Sequence, residues 1–275
     1  MKRSLRAAAL AAVVVLATAG GAAADPGPRY YLSLGDSFAQ GYQPVGGPPK
    51  PLGFPGYNQG YADQLLKLVR KPGEHLQLVK LGCGGETTTT MITGSPVCGG
   101  FPAGSQLAEA TAFLHSHPGE VELVTIDIGG NDLTSPGGGG IAAVVSNLPT
   151  ILAQLRDAAG PDVPIAGMTY YHPFLPDVWF GSHDPVQLQT SVDAIHAFNQ
   201  LLTNLYAAAG DPVADVESTF ATGALGDADG DGVPDDVEQV CAWTWRCAPP
   251  PHGPDIHPNT AGYEAIAHAF AAVLP

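Results

Sequence analysis

Four short motifs, spread along most of the sequence, contain residue types that could act together in acyl transfer. A serine hydroxyl is a weak nucleophile at neutral pH, so it needs a nearby base and hydrogen-bond donors for the oxygen that becomes negative. Ser37 is the candidate nucleophile and His257 the candidate base. The motifs are Gly35-Asp36-Ser37, Gly84-Gly85-Glu86-Thr87, Gly129-Gly130-Asn131-Asp132 and Asp255-Ile256-His257-Pro258.

The position of Ser37 fits an exposed nucleophile. It follows the apolar run 30–34, which is typical of a buried strand, and glycines at 35 and 41 leave room for a substrate. The same serine could instead only cap the helix that follows. The order of the four motifs therefore carries more weight than the tripeptide alone.

Strand-like and helix-like segments alternate along the chain. This order predicts a parallel sheet covered by helices on both faces, with the working residues in loops at the carboxyl ends of the strands. The predicted strands are 30–34, 76–81, 121–128, 163–168 and 213–216, the predicted helices are 61–69, 105–115, 141–159, 186–209 and 261–273, and the predicted loops are 41–60, 94–104 and 135–140.

The N-terminus has the pattern of a secretory signal peptide. A basic start is followed by an apolar, alanine-rich run and then by small residues up to Ala24. The apolar run is shorter than the ~20 residues that span a bilayer. We expect cleavage after Ala24 and a secreted, extracellular protein without stable membrane insertion.

Residues 25–275 have the length of one α/β domain, and we expect a single domain and a monomer. The whole chain has 11 Lys and Arg against 26 Asp and Glu, a net charge of −15. Removal of residues 1–24 would make the charge more negative, because three basic and no acidic residues lie there. This balance argues against nucleic acid as a partner.

The four cysteines occur as two local pairs in a chain that we expect to be exported. Two disulfides are therefore predicted, and the sequence alone permits three pairings. We favour Cys83–Cys98 and Cys241–Cys247, since each would close a loop in or beside a Gly- or Pro-rich segment. No C-x-x-C spacing indicates a metal site.

Residues 227–238 have the ligand order of an EF-hand-like calcium loop, with Gly232 at its sixth position. Carboxylates occupy positions 1, 3, 5, 9 and 12, and a backbone carbonyl is available at position 7. The segment before the loop is a poor helix, so we expect an isolated structural calcium loop. The predicted ligands are Asp227, Asp229, Asp231, the Val233 carbonyl, Asp235 and Glu238.

Together the motifs resemble the GDSL or SGNH hydrolases, a family named for four residues that match Ser37, Gly85, Asn131 and His257. The resemblance covers nearly all of residues 25–275. Within the family, the sequence 241–247 (Cys-Ala-Trp-Thr-Trp-Arg-Cys) is similar to a segment of disulfide-bonded secreted actinomycete esterases and lipases. The resemblance implies a flavodoxin-like, three-layer α/β/α sandwich. It also implies an oxyanion hole made by the Ser37 and Gly85 amides and the Asn131 side chain, with His257 as base.

One position departs from the family pattern. The family places an aspartate three residues before the histidine, where this chain has Pro254, and Asp255 lies only two residues before His257. Asp255 could still contact Nδ1 of His257, or a backbone carbonyl near His252 or Pro254 could orient the imidazole instead. Both alternatives remain open at the level of sequence.

The sequence thus predicts a carboxylic ester hydrolase that forms an acyl-serine intermediate and needs no cofactor for catalysis. A small-molecule or lipid ester is the expected substrate, and a carbohydrate acetyl ester is the alternative. A calcium-dependent binding module on an inactive hydrolase fold is the rival from another class. The other histidines lack metal-ligand spacing, and only His172, among aromatic residues after a predicted strand, is a candidate for the pocket wall.

Overall fold

The computed structural model describes residues 27–44, 57–98, 100–135 and 137–275. The predicted signal peptide, residues 1–24, lies outside these ranges, as does much of the predicted loop 41–60. Within the described ranges, none of the helices combines the length and the apolar character needed to cross a membrane.

Five parallel strands form one sheet, in the order β2-β1-β3-β4-β5. This is the strand order of flavodoxin-like sheets, whose crevice lies where the order reverses, between β1 and β3. The strands are β1 (Arg29–Gly35), β2 (Leu76–Lys80), β3 (Val121–Asp127), β4 (Ile165–Met168) and β5 (Val213–Ala214).

Helices cover both faces of the sheet. α2 and α11 pack against each other in one layer, whereas α4, α6 and α8 pack in sequence in the other. The three-layer α/β/α prediction is therefore confirmed. The helices are α1 (Ser37–Gln40), α2 (Tyr61–Val69), α3 (Thr88–Thr93), α4 (Gln106–Ser116), α5 (Gly130–Thr134), α6 (Gly140–Ala159), α7 (Leu175–Ser182), α8 (Pro185–Ala209), α9 (Val216–Thr219), α10 (Asp235–Trp243) and α11 (Thr260–Val273).

The two strands at the centre of the site, β1 and β3, are buried because helices cover both of their faces. Their side chains are mostly large and apolar, as expected for strands without a solvent face. Asp127 at the end of β3 is an exception, since it is charged by type and 0% exposed. The carboxyl ends of these strands therefore carry buried polar groups into the site.

Most predicted element boundaries differ from the observed ones by one or two residues, and only the helix 61–69 has the predicted bounds at both ends. Residues 163–164 precede β4, and residues 215–216 do not extend β5, because Asp215 accepts a hydrogen bond from the Ser218 amide and begins α9. The predicted loop 135–140 ends one residue early, at the start of α6. The sequence also gave no indication of the shorter helices α3, α5, α7 and α10.

Both predicted disulfides are present, Cys83–Cys98 and Cys241–Cys247. The first ties the loop that carries Gly85 to the segment before α4. The second closes a six-residue loop directly after α10. Each disulfide therefore fixes a connection next to one of the four motifs.

Candidate active site

Ser37 lies at the start of α1, in the turn that follows β1. The Asp36 side chain caps this short helix by accepting a hydrogen bond from the Phe38 amide at 2.9 Å. Gly35 has a φ of +132°, and a Cβ atom there would lie 2.6 Å from Oδ1 of Asp127. Glycine is thus required for the chain to turn sharply beside β3, and the turn leaves Ser37 partly exposed.

The structure brings His257 and Asp255 to Ser37. Nε2 of His257 is 2.8 Å from the Ser37 hydroxyl oxygen, and Nδ1 is 2.7 Å from Oδ1 of Asp255. These contacts assign the tautomer in which Nδ1–H donates to the carboxylate and Nε2 accepts from the serine hydroxyl. Of the two alternatives for the orienting group, the structure contains the carboxylate contact.

The pKa of Asp255 lies below its ordinary value. Partial burial alone would raise this pKa, but the hydrogen bonds and charge of His257, with the more distant Arg246, outweigh that effect. Asp255 therefore remains ionised next to the imidazole, as an orienting carboxylate must.

The disulfide loop 241–247 holds the segment that carries His257. The Trp245 amide donates to the His257 carbonyl at 3.0 Å, and the Asp255 amide donates to the Trp245 carbonyl at 3.1 Å. Thr244 and Pro258 form an adjacent antiparallel bridge. The short segment 255–258 is thus hydrogen-bonded to residues 244–245 as two neighbouring strands would be, although neither segment is a regular strand.

Aromatic rings enclose the imidazole. The rings of Phe38 and Tyr42 lie edge-on to His257, with centroid distances of 5.8 and 4.5 Å. The Tyr171 hydroxyl donates to the Ile256 carbonyl, and the Tyr171 ring stacks on Phe38. The orientation of the base is therefore fixed by packing as well as by Asp255.

The three predicted oxyanion-hole residues also lie together. Nδ2 of Asn131 donates to Oδ2 of Asp36 at 3.2 Å and to the Glu86 carbonyl at 3.1 Å, so its amide bridges the chain neighbours of Ser37 and Gly85. Gly85 is exposed and has a φ of +81°. The Asn131 side chain thus links the turn that carries Ser37 to the loop that carries Gly85.

Asp132 fixes the distance between the second and third motifs. Its carboxylate accepts hydrogen bonds from the Thr88 amide at 2.8 Å and from the Thr88 hydroxyl at 2.6 Å. These contacts join the first turns of α3 and α5. Burial raises the pKa of Asp132, against the lowering effect of the two Thr88 donors.

A mainly apolar cavity of about 140 Å³ opens beside Ser37 and Asn131. It lies between the Ser37 turn, α5, the segment after β4 and α8. Such a cavity can take the apolar part of a ligand whose polar centre lies at the serine. Its apolar lining includes Phe38, Leu133, Tyr170, Phe174, Ile195 and Phe198.

His172 lines the cavity, but its nitrogens are already used. Nδ1 accepts from the Phe174 amide at 3.1 Å, and Nε2 pairs with the Ser191 hydroxyl. Burial lowers the pKa of His172 to about 4, so the ring is neutral. His172 therefore contributes to the cavity wall and has no nitrogen left for proton transfer to a substrate.

Glu86 is a buried carboxyl beside the oxyanion loop, and the sequence did not single it out. Gln106 donates to its Oε2 at 3.1 Å, whereas Oε1 has no hydrogen-bond partner. Gln106 also binds both the N–H and the C=O of Gly35. Burial raises the pKa of Glu86 from its ordinary value of 4.5 to about 7.

The raised pKa of Glu86 predicts a pH-dependent stability. Between pH 4.5 and about 7 the folded protein binds more protons at this group than the unfolded chain, so the free energy of unfolding falls as pH rises through this window. Glu86→Gln removes this loss and should stabilise the protein above pH 7 by up to about 3 kcal/mol, with a smaller effect near pH 5. Denaturant unfolding at both pH values measures the difference.

The exposed variant Glu264→Gln is the matched control and should change stability equally at both pH values. A Glu86→Gln variant with the same pH dependence as the wild type would contradict the assignment.

The acidic loop 227–238 is folded around its own carboxylates. Asp227 accepts from the amides of Gly230 and Gly232 at 2.7 and 2.9 Å. Asp227, Asp229 and Asp231 present oxygens within 4.8 Å of one another, and all three are exposed. α10 begins at Asp235 and carries Glu238 on its first turn.

The charges of this loop affect one another. Desolvation, followed by the charges of the four loop aspartates, raises the pKa of Glu238. The carboxylate at the twelfth position therefore lies within electrostatic range of those at positions 1, 3, 5 and 9.

Four polar residues behind the site had no role assigned to them from the sequence. They are Asp36, Asp127, Glu86 and Gln106. Asp127 had a visible signal, because a carboxylate in the apolar run 121–128 must find partners when buried. Gln106 had none, since a glutamine in the first turn of a helix is usually solvated.

Comparison with known proteins identifies the family of the chain. Residues 33–265, which include all four motifs, match the model of the GDSL-like lipase/acylhydrolase family. No curated protein matches the sequence.

Solved structures share the fold at low sequence identity. An extracellular lipase from Streptomyces rimosus is 18% identical, with a TM-score of 0.53 over 90% of this chain and 100% of that chain. An acetylxylan esterase from Geobacillus stearothermophilus is 17% identical, with a TM-score of 0.52 over 89% and 93% of the two chains. An α/β hydrolase from the metagenome of Lake Arreo is 18% identical, with a TM-score of 0.53 over 89% and 94%. The match over residues 33–265 shows that the chain belongs to the GDSL-like lipase/acylhydrolase family and is a carboxylic ester hydrolase.

Proposed function

We propose that this protein hydrolyses carboxylic esters through an acyl-serine intermediate, with Ser37 as nucleophile and His257 as base. The contact of 2.8 Å between Nε2 of His257 and the Ser37 hydroxyl carries the proposal, since proton transfer needs that reach. His257 takes the hydroxyl proton as Ser37 attacks the ester carbon, and returns it to the leaving alcohol. A water molecule then repeats the attack on the acyl-serine, with His257 again as base.

The negative oxygen of each tetrahedral intermediate is stabilised by the amides of Ser37 and Gly85 and by Asn131. Both Nδ2 hydrogens of Asn131 already have acceptors, Oδ2 of Asp36 and the Glu86 carbonyl. The oxyanion must therefore share an Nδ2 hydrogen with one of these acceptors or displace that acceptor from it. A group that donates more strongly as the oxygen becomes negative favours the transition state over the ground state. The reaction requires no cofactor.

We propose an acyl ester with an apolar chain as the substrate. The mainly apolar cavity beside Ser37 supports this choice, since it can hold a chain of several carbons next to the reacting carbonyl. The Streptomyces rimosus lipase, which shares this fold, supports a lipid ester as the substrate. The acetylxylan esterase, which also shares it, supports a carbohydrate acetyl ester as the second candidate.

Hydrolysis of p-nitrophenyl esters from acetate to palmitate separates the two candidates. We expect kcat/KM to rise beyond acetate, because each buried methylene contributes up to about 0.8 kcal/mol. Ile195→Trp, which fills the cavity from α8, should shift the optimum back towards acetate. Val186→Trp is the matched control on the same helix, since Val186 is 71% exposed and does not line the cavity.

A wild-type optimum at acetate would favour the carbohydrate acetyl ester. No hydrolysis of any ester, together with no labelling of Ser37 by a serine-directed phosphonate, would favour the calcium-dependent binding module.

We also propose that the loop 227–238 binds a structural Ca²⁺. The convergence of the Asp227, Asp229 and Asp231 oxygens within 4.8 Å of one another fits a hard cation with oxygen ligands, and Glu238 on the first turn of α10 would be a further ligand. Asp235 and the Val233 carbonyl would complete the set. The loop precedes α10 and the disulfide loop 241–247, so an ordered loop would stiffen the segment that holds His257.

Calcium should raise the thermal unfolding midpoint, because a ligand that binds only the folded state stabilises it. We expect a shift of several degrees on addition of Ca²⁺, reversed by a chelator and lost in Asp229→Asn. The exposed Asp162→Asn, outside the loop, should keep the shift. An unchanged midpoint and unchanged activity with and without chelator would refute calcium binding.

The remaining proposals concern the setting of the enzyme. We propose that residues 1–24 direct secretion and that residues 25–275 act as a single-domain monomer outside the cell. The two disulfides, which persist in oxidising compartments, support this location. N-terminal sequencing of the protein recovered from the culture medium tests it, with Asp25 as the expected first residue.

A further inference from the structure

Two carboxyl groups are buried together beneath the Ser37 turn. Asp36 is 3% exposed and Asp127 is 0% exposed. Asp36 directly follows β1, and Asp127 ends the neighbouring strand β3. Gly35 of β1 pairs with Asp127 of β3. The Asp36 amide donates to both the carbonyl oxygen and Oδ2 of Asp127 at 3.2 Å, so the two carboxyl groups are neighbours.

No cation balances this pair. Among the ion pairs of the described residues, none includes Asp36 or Asp127. Two ionised carboxylates buried side by side would repel strongly because burial removes the screening by solvent, so the pair must hold a proton. The titratable groups that interact electrostatically with the pair are Tyr31 of β1, Tyr61 of α2, Tyr170 and Tyr171 after β4, Tyr206 of α8, Tyr263 of α11, His257 and Glu86.

The hydrogen bonds favour the ionised form more at Asp36 than at Asp127. Asp36 accepts from two donors, the Phe38 amide at 2.9 Å and Nδ2 of Asn131 at 3.2 Å. Asp127 accepts from the Tyr61 hydroxyl at 2.6 Å and from the Asp36 amide, but that amide is shared between Oδ2 and the carbonyl oxygen of Asp127. Burial, and then the charge of Asp36, raises the pKa of Asp127 well above its ordinary value.

We propose that Asp127 is a positioning residue for ester hydrolysis, which remains protonated and donates to the Asp36 carboxylate. Asp36, fixed in this way, accepts one hydrogen bond from the Phe38 amide in the Ser37 turn and another from Nδ2 of Asn131, the oxyanion donor. The role rests on the proposed function, whereas the shared proton does not. Asp127 touches no substrate and acts only through Asp36.

The shared proton can be observed without any assay of activity. The infrared carbonyl band of a protonated carboxyl group is separate from that of a carboxylate. At mildly alkaline pH, we expect this band in the wild type and its loss in Asp127→Asn, whereas the exposed Asp193→Asn should retain it. A wild-type spectrum that does not differ from Asp127→Asn in this band would overturn the proton assignment, whatever the outcome of the Ser37 experiments.

The positioning role is tested by comparing Asp127→Asn, which keeps a donor, with Asp127→Val, which has none. We expect Asp127→Val to lower kcat by about tenfold or more with little change in KM, since oxyanion donors act in the transition state, and Asp127→Asn to lose clearly less. Thr125→Val is the matched control, because it removes a buried hydroxyl from the same strand that contacts Tyr31 at 2.8 Å and Tyr61 at 3.5 Å and makes no hydrogen bond to Asp36 or Asp127. It should lower stability but leave kcat unchanged.

A kcat in Asp127→Val equal to that of Asp127→Asn would overturn the role. If Asp127→Val does not fold, the kcat of folded Asp127→Asn is compared with that of Asn131→Ala. A loss of kcat in Asp127→Asn as large as in Asn131→Ala would show that an amide N–H at position 127 does not replace the carboxyl proton as donor to Asp36.

Discussion

Replacement of Ser37 by alanine should reduce kcat on any ester by a factor on the order of 10⁶, to a rate close to that of the oxyanion hole alone. The reason is that, among the described residues, Ser37 has the only hydroxyl hydrogen-bonded to Nε2 of His257, so without it no acyl-enzyme can form. The measurement is the steady-state hydrolysis of the ester with the best wild-type rate. The phosphonate probe should label the wild type at one site and leave Ser37→Ala unlabelled.

Ser33→Ala is the matched control, because Ser33 is a buried serine on β1 whose hydroxyl has no hydrogen-bond partner. It should retain wild-type activity. Activity in Ser37→Ala within about tenfold of wild type would show that another group attacks the ester, and the mechanism would have to be abandoned.

Replacement of Asp255 by alanine or asparagine should reduce kcat by a factor of roughly 10³ to 10⁴. Alanine removes the acceptor for Nδ1–H, and asparagine can present an amide that favours the wrong imidazole tautomer. The expected loss appears in kcat, since Asp255 contacts His257 at 2.7 Å and does not line the cavity.

The outcome distinguishes the two orienting groups that the sequence left open. A loss of less than about tenfold in Asp255→Ala would point to a backbone carbonyl as the orienting group. Asp215→Asn, which alters a helix cap away from the site, provides the control for a general effect of removing an aspartate.

The sheet and the longer helices could be predicted because their signals are local. The apolar runs that became β1 and β3 are long enough to be recognised, and the helix 61–69 has the predicted bounds. The helices α3 and α5 could not be predicted in the same way. Threonine-rich and glycine-containing segments have low helix propensity, and these helices depend instead on the contact between Asp132 and Thr88.

The candidate site, too, could be predicted only in part. Its motifs identify Ser37 and His257 from residue type and order, but the geometry around Asp255 depends on tertiary packing. A Cβ on Gly253 would lie 2.6 Å from the Trp245 carbonyl, so this glycine lets the segment before Asp255 pack against the disulfide loop. Only the folded loop 241–247 reveals why an aspartate at this spacing reaches the imidazole.

The contact between Ser37 and His257 joins residues 220 positions apart. A ribosome therefore completes the nucleophile long before the base. A nascent or truncated chain that stops before His257 would contain Ser37, Gly85 and Asn131, but nothing to remove the hydroxyl proton. Such fragments would be inert towards the esters of the cell that makes them.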